Sequence, residues 1–382
     1  MGRRKRWQTW LESRWVSPAF GGGVLLAIGI CFFGAATNTM AGWLYVISGL
    51  MFALLGLGAI LPGRSLRDLK VERQQIPPVS VGDLLRVEVR ITNPTTKPKM
   101  WLQCLEALPP ALGIAKPMGI EIIPPQKTYN ATSHYRATRR GVYRWPGLFV
   151  RTASPLGLFW SRRWRSLPAQ AIVYPQILPL RRCPLIDSLQ HDEQVQWQRE
   201  HRYEAATEGI TKALRPYRFG DPTRLIHWRT SARFGTLQVR ELEILTSGRE
   251  MIIGLDTAAP WLPEQFEDAV TAAASLYFYA SRAQLGVRLW TASTGAVQGN
   301  RVVLETLAAT EYAETPTHEP PRQTPLLWLT ANPQPNTQLP QGSLTLLFVP
   351  AGSTTAQAGV AQLLMRGDRP LTEELSQSMP RI

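Results

Sequence analysis

The sequence predicts a multidomain chain: a two-helix transmembrane hairpin, an antiparallel β-sandwich, then an α/β domain with a mostly parallel sheet. Three observations carry this. No charged residue occurs between Pro18 and Leu61. Short alternating runs, separated by Pro- and Gly-containing turns, follow as far as residue 180. From residue 250 onward, continuous apolar runs alternate with amphipathic stretches of helical period. The expected divisions are a basic N-terminus (1–17), the hairpin (18–63), the sandwich (64–180), an Arg-rich connector (181–249) and the α/β domain (250–382).

The uncharged span is too long for one membrane helix and right for two, because crossing a ~30 Å hydrocarbon core takes roughly 20 residues. Its most polar point, ATNTMAG (Ala36 to Gly42), marks the break, with helices over residues 18–37 and 40–61. A signal peptide is the competing reading of the basic N-terminus, but a second apolar span follows at once. Arg3 to Arg6 and Arg14 precede the first helix, Arg64, Arg67 and Lys70 follow the second, and the connecting turn has no charge. Positive flanks at both outer ends place them on the cytoplasmic side. The expected location is the cell (inner or plasma) membrane, multi-pass, with the soluble domains in the cytoplasm. Ala27, Cys31 and Ala35, with Gly49 and Ala53 opposite, predict close helix approach through small residues. No ionisable group lies inside either span, which argues against a transport path.

In the sandwich region, Leu84 to Ile91, Met100 to Leu105, Tyr129 to Arg136, Val142 to Thr152 and Ala171 to Tyr174 read as strands. Seven arginines lie between Arg139 and Arg165 with no acid: Arg139, Arg140, Arg144, Arg151, Arg162, Arg163 and Arg165. Tyr143, Trp145, Phe149, Phe159, Trp160 and Trp164 are interleaved with them. Such a surface can bind single-stranded nucleic acid by stacking and charge. The blander reading turns the aromatics inward and leaves the arginines solvated or near anionic lipid headgroups.

In the α/β region, Met251 to Asp256 reads as a buried parallel strand, Pro263 to Gln284 as an amphipathic helix, and Val287 to Thr291, Leu326 to Thr330 and Leu344 to Val349 as further strands. Thr355 to Arg366 reads as a helix and Thr315 to Pro325 as a surface loop. Asp256 ends the first strand at the sheet edge where ligands usually sit. A von Willebrand factor A domain carries a DxSxS Mg²⁺ site at this place, with hard oxygen ligands. Here the sequence is DTAAP, so Ala258 and Pro260 stand at the serine positions and only Asp256 and Thr257 remain. No bound metal is expected.

Composition narrows the chemistry further. Lys and Arg number 42 against 28 Asp and Glu, a formal charge of +14, which favours an acidic partner: nucleic acid, an anionic membrane or an acidic protein. Cys31, Cys104 and Cys183 form no CxxC pair, and the five histidines form no HxxxH, so neither a disulfide framework nor a zinc site is expected. The chain has no GxxxxGK[ST], GxSxG or HExxH motif. No cofactor and no enzymatic activity are expected.

Between the two soluble regions lies LRPYRFGDPTRLIHWRTSARFGTLQVRELE, Leu214 to Glu243. Gly220-Asp221-Pro222 reads as a turn, Thr223 to Ala232 as a short helix with Leu225, Ile226, Trp228 and Arg229 partly buried, and Leu237 to Leu245 as a strand. Arg229 and Arg233, four apart, share a helical face. Their guanidinium forks suit carboxylates such as Asp221, Glu241 or Glu243, either clamping domains together or gripping an acidic partner protein. His227 beside Trp228 reads as a packing residue, not a general base.

The series Arg215, Tyr217, Gly220, Asp221, Arg224, Ile226, Trp228, Ser231, Ala232 and Arg233 resembles the signature of the family called domain of unknown function 58. RRGVYRW (Arg139 to Trp145), SPLGLFWSRR (Ser154 to Arg163) and AIVYP (Ala171 to Pro175) agree with it. The resemblance implies a membrane-anchored cytoplasmic protein with a von Willebrand A-like domain, commonly encoded beside a MoxR-class AAA+ ATPase. It implies a scaffold or adaptor in complex assembly or maturation, with Arg215, Tyr217, Gly220, Asp221, Arg224, Trp228, Arg229, Ser231 and Arg233 as interdomain or partner-binding residues. Two alternatives stand beside it: a membrane-tethered nucleic-acid-binding protein using the Arg139 to Arg165 surface, and an enzyme centred on Asp256 and the junction arginines.

Overall fold

The computed structural model describes residues 12, 15–187, 210–216, 226–243, 250–322, 324–333, 339–340, 342–350 and 362–376. The chain divides into two compact units, Met1–Pro175 and Gln176–Ile382.

The first unit opens with a two-residue strand, β1 (Ser17–Pro18), and two long apolar helices, α1 (Phe20–Thr39) and α2 (Gly42–Ser65). Both are long and apolar enough to cross a membrane, and only 17% of each apolar window is buried. A core helix of a soluble protein would be mostly buried, so these helices are consistent with a membrane location. Their seam differs from the expected one. Gly22, Gly29 and Ala36 of α1 are buried, together with Leu44, Ser48, Leu55, Gly58 and Pro62 of α2. Ala27, Cys31, Ala35, Gly49 and Ala53 are exposed. Gly29 packs against Met51 and Phe52 of α2, whereas Gly22 and Gly58 face Leu158 of the sandwich.

The sandwich follows. One sheet runs β1–β9–β8–β5–β6, with β3 on β9; the other runs β2–β4–β7. The strands are β2 (Lys70–Arg73), β3 (Val79–Ser80), β4 (Leu84–Thr92), β5 (Lys99–Glu106), β6 (Met118–Ile123), β7 (Thr128–Arg136), β8 (Gly141–Thr152) and β9 (Phe159–Tyr174). All these pairings are antiparallel except β3 with β9. In β4, Leu85, Val87, Val89 and Ile91 alternate inward and are fully buried. β9 begins twelve residues ahead of the expected strand, at Phe159 rather than Ala171. The sequence hid it because Pro168 interrupts the run. The strand tolerates that proline at a bulge, where the β8–β9 register shifts between Trp145 and Gly147. A Cβ at Gly147 would collide with the Arg165 carbonyl, so the bulge needs glycine there.

The second unit begins upstream of the expected boundary. Leu180, Cys183, Leu185 and Ile186 belong to its hydrophobic core, and the backbone N–H of Leu178 donates to Ser275 Oγ (2.9 Å). Its main sheet is β14–β13–β12–β15–β16–β17. The strands are β12 (Glu250–Leu255), β13 (Gly286–Thr291), β14 (Gly295–Val297), β15 (Leu326–Thr330), β16 (Leu344–Phe348) and β17 (Gln362–Met365). Only the β13–β14 pairing is antiparallel. The first strand of the sheet lies inside and later strands add on both sides, which is the doubly wound arrangement. A separate hairpin pairs β10 (Ile210–Pro216) with β11 (Gln238–Glu243), and α3 (Trp228–Phe234) lies between them in sequence.

Helix α4 (Pro263–Arg282) buries Phe266, Val270, Ala273, Ala274 and Tyr277, as its periodicity predicts. Removing a phenylalanine such as Phe266 from water is worth about 1.5–3 kcal/mol. The elements that the sequence does not announce include β14 and α5 (Asn300–Ala309). Another was assigned the wrong type. Residues 362–365, expected at the end of a helix, form β17, which pairs in parallel with Thr345 to Phe348. The open sheet edge supplied ladder partners that helix propensity could not outweigh. A short helix, α6 (Leu371–Ser376), follows.

Candidate functional site

Three places hold the residues singled out by sequence. The first is the C-terminal edge of the parallel sheet. Asp256 directly follows β12, and Thr330 ends β15, the strand paired with β12 on the side where the winding reverses. Thr330 Oγ1 donates to Asp256 Oδ2 (2.9 Å) and accepts from the Asn332 N–H (3.0 Å). The Asp256 carbonyl accepts from Trp261 Nε1. The Thr330–Asp256 bond therefore joins the ends of the two strands at the switch point, the edge where ligands bind in such sheets. Burial raises the Asp256 carboxyl above its ordinary pKa; the Thr330 hydroxyl and the N–H groups of Ala258 and Ala259 oppose this.

The loop after α5 closes over the same edge. The Glu314 N–H donates to the Thr257 carbonyl (3.3 Å), and the N–H groups of Thr317 and His318 donate to the Ala292 carbonyl. Thr257 Oγ1 and Glu314 Oε2 are buried without a hydrogen-bond partner among the described residues. A DxSxS-type metal does not fit. Ala258 and Pro260 offer no side-chain oxygen, and Thr330 already occupies one Asp256 oxygen. The Asp256 carboxylate is thus compensated by neutral donors, the Thr330 hydroxyl and the N–H groups of Ala258 and Ala259, with no cation beside it among the described residues.

The second place is α3. His227 caps its N-terminus: Nδ1 accepts from the Thr230 N–H (3.2 Å). Gly235 ends it in the left-handed region, at φ 67°. Ser231 is the buried stitch, donating to the His227 carbonyl (3.0 Å) and accepting from the Gln238 N–H (2.8 Å). The signature serine thus fixes the helix against β11. Ile226 is buried as expected. Trp228 and Arg229 are not: Trp228 is 66% exposed and Phe234 68%, and Arg229 and Arg233 are exposed beside them. A seven-residue helix anchored through Ser231 has one inward position, so the rest of its face turns outward. Tyr217, Gly220, Asp221, Arg224 and Leu225 lie outside the described residues, as do the side chains of Arg215, Glu241 and Glu243.

The third place is the arginine-rich pair β8–β9, and the register splits it. Arg151 pairs with Arg162 and Phe149 with Trp164. On that face Arg162 stacks on the Phe149 ring (3.4 Å) and Arg151 on the Trp160 ring (4.8 Å). Neighbouring positions in β9 point the other way. Arg165 Nη2 donates to the Leu66 carbonyl (2.6 Å), capping the C-terminal end of α2, and Arg163 lies against Gly63. Arg139, Arg140 and Arg144 lie toward the opposite end of β8, where the Tyr143 hydroxyl donates to the Arg139 carbonyl (2.8 Å). The seven arginines therefore do not share one face.

Sequence reasoning missed a buried ion pair. Arg73 Nη2 and Glu106 Oε2 are 2.8 Å apart, with side chains 6% and 1% exposed. Trp145 Nε1 donates to the same oxygen (2.9 Å), and the Arg73 guanidinium lies over the Trp145 ring (5.3 Å). The only signal was Trp145 in the RRGVYRW motif. Burial first, and Glu106 second, push the neighbouring Cys104 thiol up to about 12, which keeps it neutral and inert.

Residues 213–319 match the family described as "Protein of unknown function DUF58". Similarity to this family is thus shown for that stretch of the chain. The match takes in α3, Asp256, α4 and the loop over the sheet edge. No curated protein matches the chain. Among solved structures, the likenesses that follow are distant ones. The CARDB domain of the PF1109 protein from Pyrococcus furiosus is 16% identical, covers 28% of this chain and 94% of its own, and has a TM-score of 0.20. Red sea bream transglutaminase is 16% identical over 28% of this chain and 15% of its own, with a TM-score of 0.21. The alkylpurine DNA glycosylase AlkC of Pseudomonas fluorescens is 11% identical over 40% of this chain and 45% of its own, with a TM-score of 0.20. These likenesses carry no functional argument.

Proposed function

We propose that this is a membrane-anchored, non-catalytic scaffold or adaptor, its soluble domains in the cytoplasm, that works with a MoxR-class AAA+ ATPase in complex assembly or maturation. The observation behind it is the outward face of α3 inside the stretch similar to DUF58. Trp228 and Phe234 are large apolar groups left in solvent, and Arg229 and Arg233 flank them. Exposed aromatic and arginine side chains are the types enriched at binding hot spots. Two guanidinium groups between two rings on one short helix suit an acidic, partly apolar segment of a partner protein. The von Willebrand A-like reading of the sheet draws support from its strand order and from Asp256 at the switch point.

The test is co-purification. The full chain is solubilised with its hairpin, and bound proteins are identified by mass spectrometry, with Trp228→Ala and Arg233→Ala variants alongside. The reading expects a MoxR-class ATPase with the parent chain and its loss with folded variants. Salt-sensitive nucleic acid in place of an ATPase would overturn it.

A further inference from the structure

The turn between β8 and β9, Ala153 to Leu158, has no place in the adaptor reading, yet it is built against the helical hairpin. The Ala19 N–H donates to the Leu158 carbonyl (2.9 Å), and Ser17 and Pro18 continue the contact as a ladder with Trp160 and Phe159. A Cβ on Gly22 would collide with the Leu158 carbonyl, and one on Gly58 would stand 3.2 Å from Leu158 Cβ. Two glycines, one on each helix, thus open the notch that receives Leu158.

The depth of that notch is fixed by helix geometry. From Gly58 to Ser65, α2 rises about 10 Å, and from Gly22 to Thr39, α1 rises about 26 Å. A hydrocarbon core is ~30 Å thick. If α1 spans it, Gly22 lies at its edge and Leu158 lies beside it. The turn has the composition that this level demands. Ala153 to Ser161 (ASPLGLFWS) carries no charge. Leu156 projects 41% exposed from its tip, and Trp101, 63% exposed, lies alongside, its carbonyl accepting from Thr152 Oγ1 (3.0 Å). Arg151, Arg162 and Arg163 flank the turn on the next residues of the two strands. Aromatic and aliphatic groups rimmed by arginines are the signature of a segment seated at the headgroup–acyl boundary.

We infer that the Ala153–Leu158 turn, with Trp101, is a membrane-inserted foot of the sandwich whose partner is the headgroup–acyl boundary of a phospholipid bilayer. It rests on the reading that α1 and α2 span a membrane. The foot gives the sandwich a third point of insertion beside the two helices, which sets its height on the bilayer and holds it against swivelling on the hairpin.

The experiment uses site-directed spin labels on the full chain in phosphatidylcholine–phosphatidylglycerol nanodiscs. Cys104 and Cys183 are buried, so Cys31 is the exposed native thiol and serves as the hydrocarbon reference. In a Cys31→Ser background, labels go at Leu156→Cys, at Trp101→Cys and at Ile114→Cys. Ile114 is 90% exposed, in the connection at the far ends of β5 and β6, and is the water reference. The expected result is a collision ratio at Leu156 that favours oxygen over the water-soluble nickel relaxant, as at Cys31, with Trp101 between the two references. Nickel access at Leu156 and Trp101 equal to that at Ile114, with Cys31 still oxygen-rich, would overturn the foot and leave the anchor standing. Nickel access at Cys31 itself would overturn the membrane reading and the foot with it.

Discussion

Two arginine-rich stretches of this chain look alike in sequence and are used in opposite ways. Within β8 and β9, Arg151, Arg162, Arg163 and Arg165 are occupied inside the unit, on the rings of Phe149 and Trp160, against Gly63 and at the Leu66 carbonyl, while Arg144 stays exposed at the other end of β8. On α3, Arg229 and Arg233 stand in solvent beside Trp228 and Phe234. The physical difference lies in the backbone that carries them. A strand in a twisted antiparallel sheet offers cross-strand rings and a helix end within reach of alternate residues. A single seven-residue helix, tied down through Ser231, offers an arginine nothing but its outer face. Arginine count alone therefore does not mark a binding surface; arginines left without internal work do.

The largest expected effect comes from the most deeply used arginine. Arg73→Leu strands the Glu106 carboxylate in the sandwich interior with only Trp145 as donor, and should cost about 3–5 kcal/mol. The Arg73→Leu, Glu106→Leu double variant should recover most of that, because no charge remains buried. Thermal unfolding of the reconstituted chain, followed on the sandwich transition, checks both. A double variant as unstable as the single one would break the assignment of the pair as a desolvated ion pair.

Arg165→Ala comes next. It removes the cap on the C-terminal end of α2 and should cost about 1 kcal/mol, read in the same way. Arg229→Ala and Arg233→Ala should change stability by less than about 0.5 kcal/mol, the usual range for exposed positions without special contacts. If these were as costly as Arg165→Ala, the two stretches would not differ.

Asp256 sharpens the contrast from the acidic side, since its compensation is neutral where that of Glu106 is a cation. Its folded pKa is raised above the unfolded value, so the native state holds the proton longer. Stability of the second unit should fall as pH rises from the unfolded aspartate value of ~3.9 through the raised folded value. Asp256→Asn should flatten that fall and leave the unit at least as stable at neutral pH. A stability profile that instead rises with pH over that window, and loses the rise in Asp256→Asn, would mean a cation sits by this carboxylate.

Much of the architecture was legible because its signals are local. The uncharged span, the alternation of Leu84 to Ile91 and the apolar run into Asp256 each declare themselves within ten or twenty residues. What stayed hidden depends on distant partners. Arg73 and Glu106 are 33 residues apart, and Asp256 and Thr330 are 74 apart. The helix seam was misread because small residues occur on two sides of α1, and only contact with α2 and Leu158 selects Gly22 and Gly29. The strand at 362–365 needed the neighbouring edge of β16 to exist. For the candidate surface, the signature singled out Trp228, Arg229, Ser231 and Arg233, but sequence spacing could not tell the one that faces inward from the three that face out.

The most direct test sets one stretch against the other in a single capture experiment. The full chain, the Trp228→Ala, Arg229→Ala, Arg233→Ala triple variant and an Arg139→Ala, Arg144→Ala double variant are compared for the amount of MoxR-class ATPase retained, at matched folding. Arg139 and Arg144 are exposed residues of the sandwich. The account predicts that the triple variant loses the ATPase and the double variant keeps it. Retention by the triple variant with loss in the double one would contradict it.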